Sequence, residues 1–103
     1  MRETTESTFN ADIATGTVIV DCYATWCGPC HRQKAVLEEL EKSHPEITMV
    51  AFDIEKEPAL AKRFDVRALP TLMVFKNGQQ VGESLVGLKS KETLLRAAAA
   101  DNF

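Results

Sequence analysis

The chain alternates between two hydrophobic patterns. Thr17–Tyr23 and residues 47–54 are apolar at almost every position and rich in β-branched side chains. That pattern predicts central strands of a parallel sheet, covered on both faces. Residues 30–43 instead repeat apolar side chains at helical spacing, with Val36, Leu37 and Leu40 on one face. His44-Pro45 ends this helix, because the residue before a proline avoids helical geometry. Earlier in the chain, Ser7 or Thr8 can cap a short helix reaching about Ala14, with Phe9 and Ile13 facing inward, and Gly16 stops it. Residues 2–6 are polar and carry little pattern; a short edge strand is the most they suggest.

In the second half, Pro58 opens a short helix over residues 58–64. Leu69-Pro70-Thr71 leads into a third apolar strand, residues 72–75, and Asn77-Gly78 is a hairpin signal, so residues 79–85 are expected to return antiparallel. Gly87 breaks that strand, and Ser90 caps a last helix over residues 90–100 with Leu94, Leu95 and Ala98 inward. Strands alternate with helices as far as Pro70, and a hairpin and a helix follow. The fold class is therefore α/β: a mixed sheet of four or five strands with helices on both faces and a right-handed β-α-β crossover.

Composition narrows the classes of function. At 103 residues the chain suits one domain, residues 1–103, and can bury a core without covalent staples. A net charge of −3 argues against a nucleic-acid partner. The apolar runs are too short to cross a membrane, and the polar, acidic start Met1-Arg2-Glu3-Thr4-Thr5-Glu6 leads into no leader-like stretch. Three cysteines in such a chain suggest a reactive or metal-binding pair plus one more, rather than a disulfide scaffold.

Cys27 and Cys30 stand where the first central strand gives way to the long helix. The first turn of a helix has unpaired N–H groups and the positive end of the helix dipole, and both favour a thiolate over a thiol. Two cysteines with two residues between them can close a small ring, so the pair can pass between dithiol and disulfide. Asp21 lies inside the apolar strand, where a charge is costly, and its pKa is expected to be raised by desolvation.

Three further readings of the same residues come from other classes. Cys27-Gly28-Pro29-Cys30-His31 also fits the pattern for covalent c-type haem attachment, which would leave Asp21 and the Leu69-Pro70 turn without a role. A zinc site needs four ligands, and beyond the pair only Cys22, His31, His44 and carboxylates are on offer; no metal is expected. A binding or assembly subunit without obligatory redox turnover is the alternative from outside enzymology.

Several segments together resemble the thioredoxin family. Val20-Asp21-Cys22-Tyr23-Ala24-Thr25-Trp26-Cys27-Gly28-Pro29-Cys30 is similar to its active-site segment, Arg67-Ala68-Leu69-Pro70-Thr71 to its cis-proline loop, Phe75-Lys76-Asn77-Gly78 to its hairpin and Val86-Gly87 to a later glycine. The resemblance covers nearly the whole chain from Phe9 onward. It implies a thioredoxin fold and a protein-disulfide reductase. Cys27 would be the exposed nucleophile, Cys30 the buried resolving thiol, and Asp21 the base that deprotonates Cys30. Trp26, Gly28, Pro29, Leu69, Val86 and Gly87 would contact the substrate, with Pro70 holding the Leu69 backbone out to it. No bound cofactor is implied. Electrons would come from NADPH through a thioredoxin reductase, to disulfide-containing substrate proteins, and the protein would act as a monomer in the cytoplasm.

The chain also departs from the family pattern. Ala35 replaces the proline usual in the long helix, which is expected to be less kinked, and Tyr23 replaces a frequent tryptophan. Ala51 stands where many members carry a lysine near the buried aspartate, so Asp21 is expected to lose a cation and its pKa to rise further. His31 follows the second cysteine where lysine or arginine is common; histidine changes charge near physiological pH, so activity is expected to vary there. Cys22 is extra and is expected to be an inert buried thiol.

Overall fold

A computed structural model describes residues 1–100. Its strands are β1 (Arg2–Glu3), β2 (Thr17–Tyr23), β3 (Ile47–Asp53), β4 (Thr71–Lys76), β5 (Gln79–Gln80) and β6 (Leu85–Val86). Its helices are α1 (Phe9–Asp12), α2 (Gly28–Ser43), α3 (Pro58–Arg63) and α4 (Lys91–Ala99). The sheet runs β1-β3-β2-β4-β5, with β6 also paired to β4. β1, β3 and β2 are parallel; β4 is antiparallel to β2, and β5 and β6 are antiparallel to β4.

The period of two along β2 explains the two cores. Val18, Val20 and Cys22 join Phe9 and Ile13 near α1, Leu60 of α3, and Val50, Phe52, Met73 and Phe75. On this side Phe9, Phe64 and Phe75 meet at ring-centroid distances of 5.2 to 5.9 Å. Ile19 points to the other face, where Leu37 and Leu40 of α2 and Leu94 and Ala98 of α4 close over Met49, Leu72 and Val74. Each of these large side chains is almost fully buried, and truncating one to alanine costs about 2–5 kcal/mol.

Some boundaries differ from those the pattern predicts. The expected strand over residues 79–85 is split. The Val81 N–H still bonds to the Val74 carbonyl at 2.8 Å, but Gly82 takes φ of +69°, and the chain leaves the sheet before returning as β6. The sheet thus has six strands in five lanes. α1 ends at Asp12, short of Ala14, and the Thr8 side chain gives it no cap; its hydroxyl instead accepts the Thr5 N–H at 3.0 Å. α2 begins at Gly28, two residues before the expected start, and runs unbroken through Ala35. Among the described residues, no helix is long and apolar enough to cross a membrane.

One buried polar side chain on α2 fixes the loop before α4. Gln33 is fully buried; its amide donates to the Lys89 carbonyl at 3.1 Å and accepts the Lys89 N–H at 2.7 Å. Both backbone groups of a turn that lacks a strand partner are satisfied in this way.

Candidate active site

The apolar run of β2 stops at Tyr23, and Ala24, Thr25 and Trp26 carry the chain to Cys27. Cys27 has extended geometry (φ −85°, ψ 111°) and is the N-cap of α2. Pro29 lies in the first turn, where a missing N–H costs nothing. The Cys27 Sγ accepts the Cys30 N–H at 3.2 Å, so the sulfur sits at the positive end of the dipole of a 16-residue helix. The same contact stabilises a thiolate once the pair is reduced. Cys27 and Cys30 are joined as a disulfide with their Cα atoms 5.3 Å apart.

Residue exposure does not separate the two cysteines. Cys27 was expected to be exposed, yet it is 5% accessible against 4% for Cys30. Both belong to one buried cluster with Ala24, against which Tyr23, Ile54 and Leu69 pack, and this packing covers Cys27. What distinguishes them is the space each one faces.

Cys27 faces an open groove of about 380 Å³ lined by Trp26, Gly28, Pro29, Ile54, Val66 and the loop from Arg67 to Leu69. Opposite the cysteine, the Leu69–Pro70 peptide is cis. The Pro70 carbonyl accepts the Gly87 N–H at 2.8 Å, and the Thr71 hydroxyl donates to the Ala68 carbonyl at 2.6 Å. Among the described residues, no hydrogen bond engages the Leu69 N–H or carbonyl. The Trp26 ring is 69% exposed, with its indole N–H donating to Glu55 at 3.1 Å. Val86, 53% exposed, pairs with Thr71 on the sheet edge next to Pro70. Val86 and Gly87 therefore do not line the groove with the other expected contact residues; they stand beside its proline loop. Gly87 has φ of +91°, which accounts for the glycine.

Cys30 faces a different space, a cavity of about 280 Å³ on the α2 side of the sheet. Met1, Glu3, Asp21, Tyr23, Ala24, Thr25, His31, Lys34 and Ala51 complete its lining. Asp21 is 2% exposed, between β3 and β4, and among the described residues its Oδ1 has no hydrogen-bond partner. Desolvation raises its pKa from the ordinary 3.8 to about 7, Glu3 adds to the rise, and Lys34 opposes it. The lost cation of the Ala51 position is thus partly replaced from α2, which the sequence reading did not anticipate. Cys22 points to the opposite face; burial, and then the Asp21 charge, push its thiol well above the ordinary range.

Sequence reasoning missed Ile54, Val66, Arg67 and Ala68 in the groove, and Glu3, Tyr23 and Lys34 around Asp21. Lys34 was the one open to discovery, since it lies four residues after Cys30 and so on the same helix face. Among the described residues, no three His, Cys, Asp or Glu side chains are grouped to hold a metal ion.

Comparison with known proteins gives a consistent picture. The thioredoxin family model matches residues 1–100. A thioredoxin from Chlamydia caviae is 43% identical over 88 residues, covering 85% of each chain. A bifunctional thioredoxin reductase/thioredoxin from Mycobacterium leprae is 39% identical over 97 residues, which span 91% of this chain and 21% of that one. The crystal structure of mitochondrial thioredoxin 3 from Saccharomyces cerevisiae, in its oxidized form, superposes with a TM-score of 0.86 at 30% identity, covering 95% of this chain and 92% of that one.

Proposed function

This chain belongs to the thioredoxin family and is a thiol-disulfide oxidoreductase that reduces protein disulfides, and we propose that it is recycled by a thioredoxin reductase at the expense of NADPH. The observation that carries the reading is the Cys27–Cys30 disulfide at the N-terminus of α2, with one sulfur toward an open groove and the other toward a buried carboxyl. The fused arrangement in the Mycobacterium leprae protein, where both activities share a chain, supports the reductase as partner.

In the reduced protein, the Cys27 thiolate attacks one sulfur of a substrate disulfide and expels the other as a thiolate. Trp26, Gly28, Pro29 and Leu69 receive the apolar flank of the substrate, and Val86 and Gly87 extend that surface past Pro70. The Leu69 backbone is open to an extended segment, a mode that draws affinity from the main chain and makes little demand on sequence. Asp21 then takes the proton of Cys30. The Cys30 thiolate attacks Cys27 Sγ, closes the Cys27–Cys30 bond and releases the second substrate sulfur as a thiolate. Two electrons pass from the pair to the substrate. The protein works as a monomer in the cytoplasm, with residues 1–103 as one domain.

Insulin reduction tests this, driven first by dithiothreitol and then by NADPH with a thioredoxin reductase. Turnover with both, lost in Cys27→Ser, is expected. Turnover with dithiothreitol alone would replace the reductase by another donor. A function that survives Cys27→Ser and Cys30→Ser would be that of a binding subunit.

A further inference from the structure

The row Glu3, Ala51, Asp21 runs across β1, β3 and β2, each residue registered beside the next. α2 lies over this row, and Cys30, His31 and Lys34 reach the cavity between them from one helix face. Every charged or titratable group on that lining can be traced. The Met1 ammonium is taken by Glu41 at 2.9 Å. The Tyr23 hydroxyl donates to Glu3 at 2.7 Å. The His31 Nε2 is paired with the Thr25 carbonyl at 3.0 Å. Among the described residues, Asp21 Oδ1 has no partner. Lys34 has no ion pair or hydrogen bond among the described residues; it is exposed and lines the cavity. Ala51, beside Asp21 on β3, brings no charge.

We propose that Lys34 is a positioning residue for the resolving step: one helical turn beyond Cys30, it brings an ammonium to the cavity that Cys30 and Asp21 share and favours the carboxylate form of Asp21 that accepts the Cys30 proton. The inference rests on the reading of Asp21 as the base for Cys30. In that step the Cys30 S–H proton passes to the Asp21 carboxylate. The new thiolate bonds to Cys27 Sγ, and the Cys27–substrate bond breaks with its electron pair on the substrate sulfur. Without Lys34, burial and Glu3 act on Asp21 unopposed from α2, and it stays protonated to higher pH. The electrostatics agree, since Lys34 is the group that lowers the Asp21 pKa against burial and Glu3.

The test uses Lys34→Met, Lys34→Arg, Lys34→Met with Ala51→Lys, and Asp21→Asn with and without Lys34→Met. The Asp21 carboxyl is titrated by carbon NMR in the oxidised protein, which needs no turnover. The pH dependence of mixed-disulfide resolution is followed by stopped flow. Lys34→Met is expected to move the Asp21 midpoint upward by roughly half to one pH unit, the size of a partly screened contact. It should also slow resolution several-fold at pH 7. Lys34→Arg should keep the original midpoint, and Ala51→Lys should restore it from the other side of the cavity. In Asp21→Asn protein, Lys34→Met should change nothing further. An unmoved Asp21 midpoint in Lys34→Met overturns the proposal, even if insulin reduction is normal. A moved midpoint with an unmoved resolution profile overturns the role of Asp21 as base instead.

Discussion

The two sulfurs of one disulfide look out on unlike surroundings. On the Cys27 side lies an open groove with an exposed indole, a cis-proline loop and unoccupied backbone groups at Leu69. On the Cys30 side lies a smaller cavity holding a carboxyl that burial has pushed to a pKa of about 7. The two cysteines differ by one percentage point of residue exposure, so residue burial does not assign their roles. In the proposed mechanism, nucleophile and resolver are therefore told apart by what each can reach: a partner chain on one side, a proton acceptor on the other.

The strongest way to break the comparison is to remove one sulfur at a time. Cys27→Ser is expected to abolish insulin reduction. Cys30→Ser should leave the first attack intact and strand the substrate on Cys27, visible by mass spectrometry as a covalent adduct. An adduct on Cys30 in the Cys27→Ser protein would reverse the assignment.

Asp21→Asn sharpens the Cys30 side next. Resolution should slow by about 10- to 100-fold, at or below the low end for general-base catalysis, because solvent still enters the cavity. Stability should respond with a definite sign. The folded state holds the Asp21 proton more tightly than the unfolded chain, so the oxidised protein loses stability as pH rises from about 4 through about 7. That loss is about 4 kcal/mol. Asp21→Asn should remove this slope and be the more stable protein at pH 8, as read by urea unfolding at pH 5 and pH 8.

On the Cys27 side, Trp26→Ala should raise KM about 5- to 30-fold with kcat and fold unchanged, since the ring is mostly exposed and its loss is felt on binding. The smallest effect belongs to the third cysteine. Cys22 sits on neither side of the pair, buried against Val20, Phe52 and Met73. The folded oxidised protein should show no thiol reactive to Ellman's reagent and the unfolded one should show one. Rapid labelling of the folded form would give Cys22 a role.

The parts legible in the sequence were those encoded by local pattern. β2 begins and ends where its apolar run does, the Ser90 hydroxyl caps α4 by accepting the Thr93 N–H at 3.2 Å, and Asp21 is as buried and as perturbed as an acid within an apolar strand must be. The junction of strand and helix located the cysteine pair, and resemblance located the proline loop. What escaped was set by contacts between distant segments. Gln33 looks like an ordinary surface residue of a helix until Lys89, 56 positions later, turns out to need both of its amide atoms. Ile54 and Val66 enter the groove only because β3 and the loop after α3 end beside Trp26. The expected long return strand failed at a single glycine, Gly82, whose left-handed backbone no apolar pattern reports.

That interruption matters for how the molecule behaves in a crowd. One margin of the sheet is β1, two residues long; the other is divided between β5 and β6, two residues each. Each of these margin strands is by itself too short to template a continuous β-ladder with another copy, the usual seed of edge-to-edge aggregation. If the Leu69 backbone receives other chains as proposed, that opening lies in a short, proline-bounded loop rather than on a long edge strand.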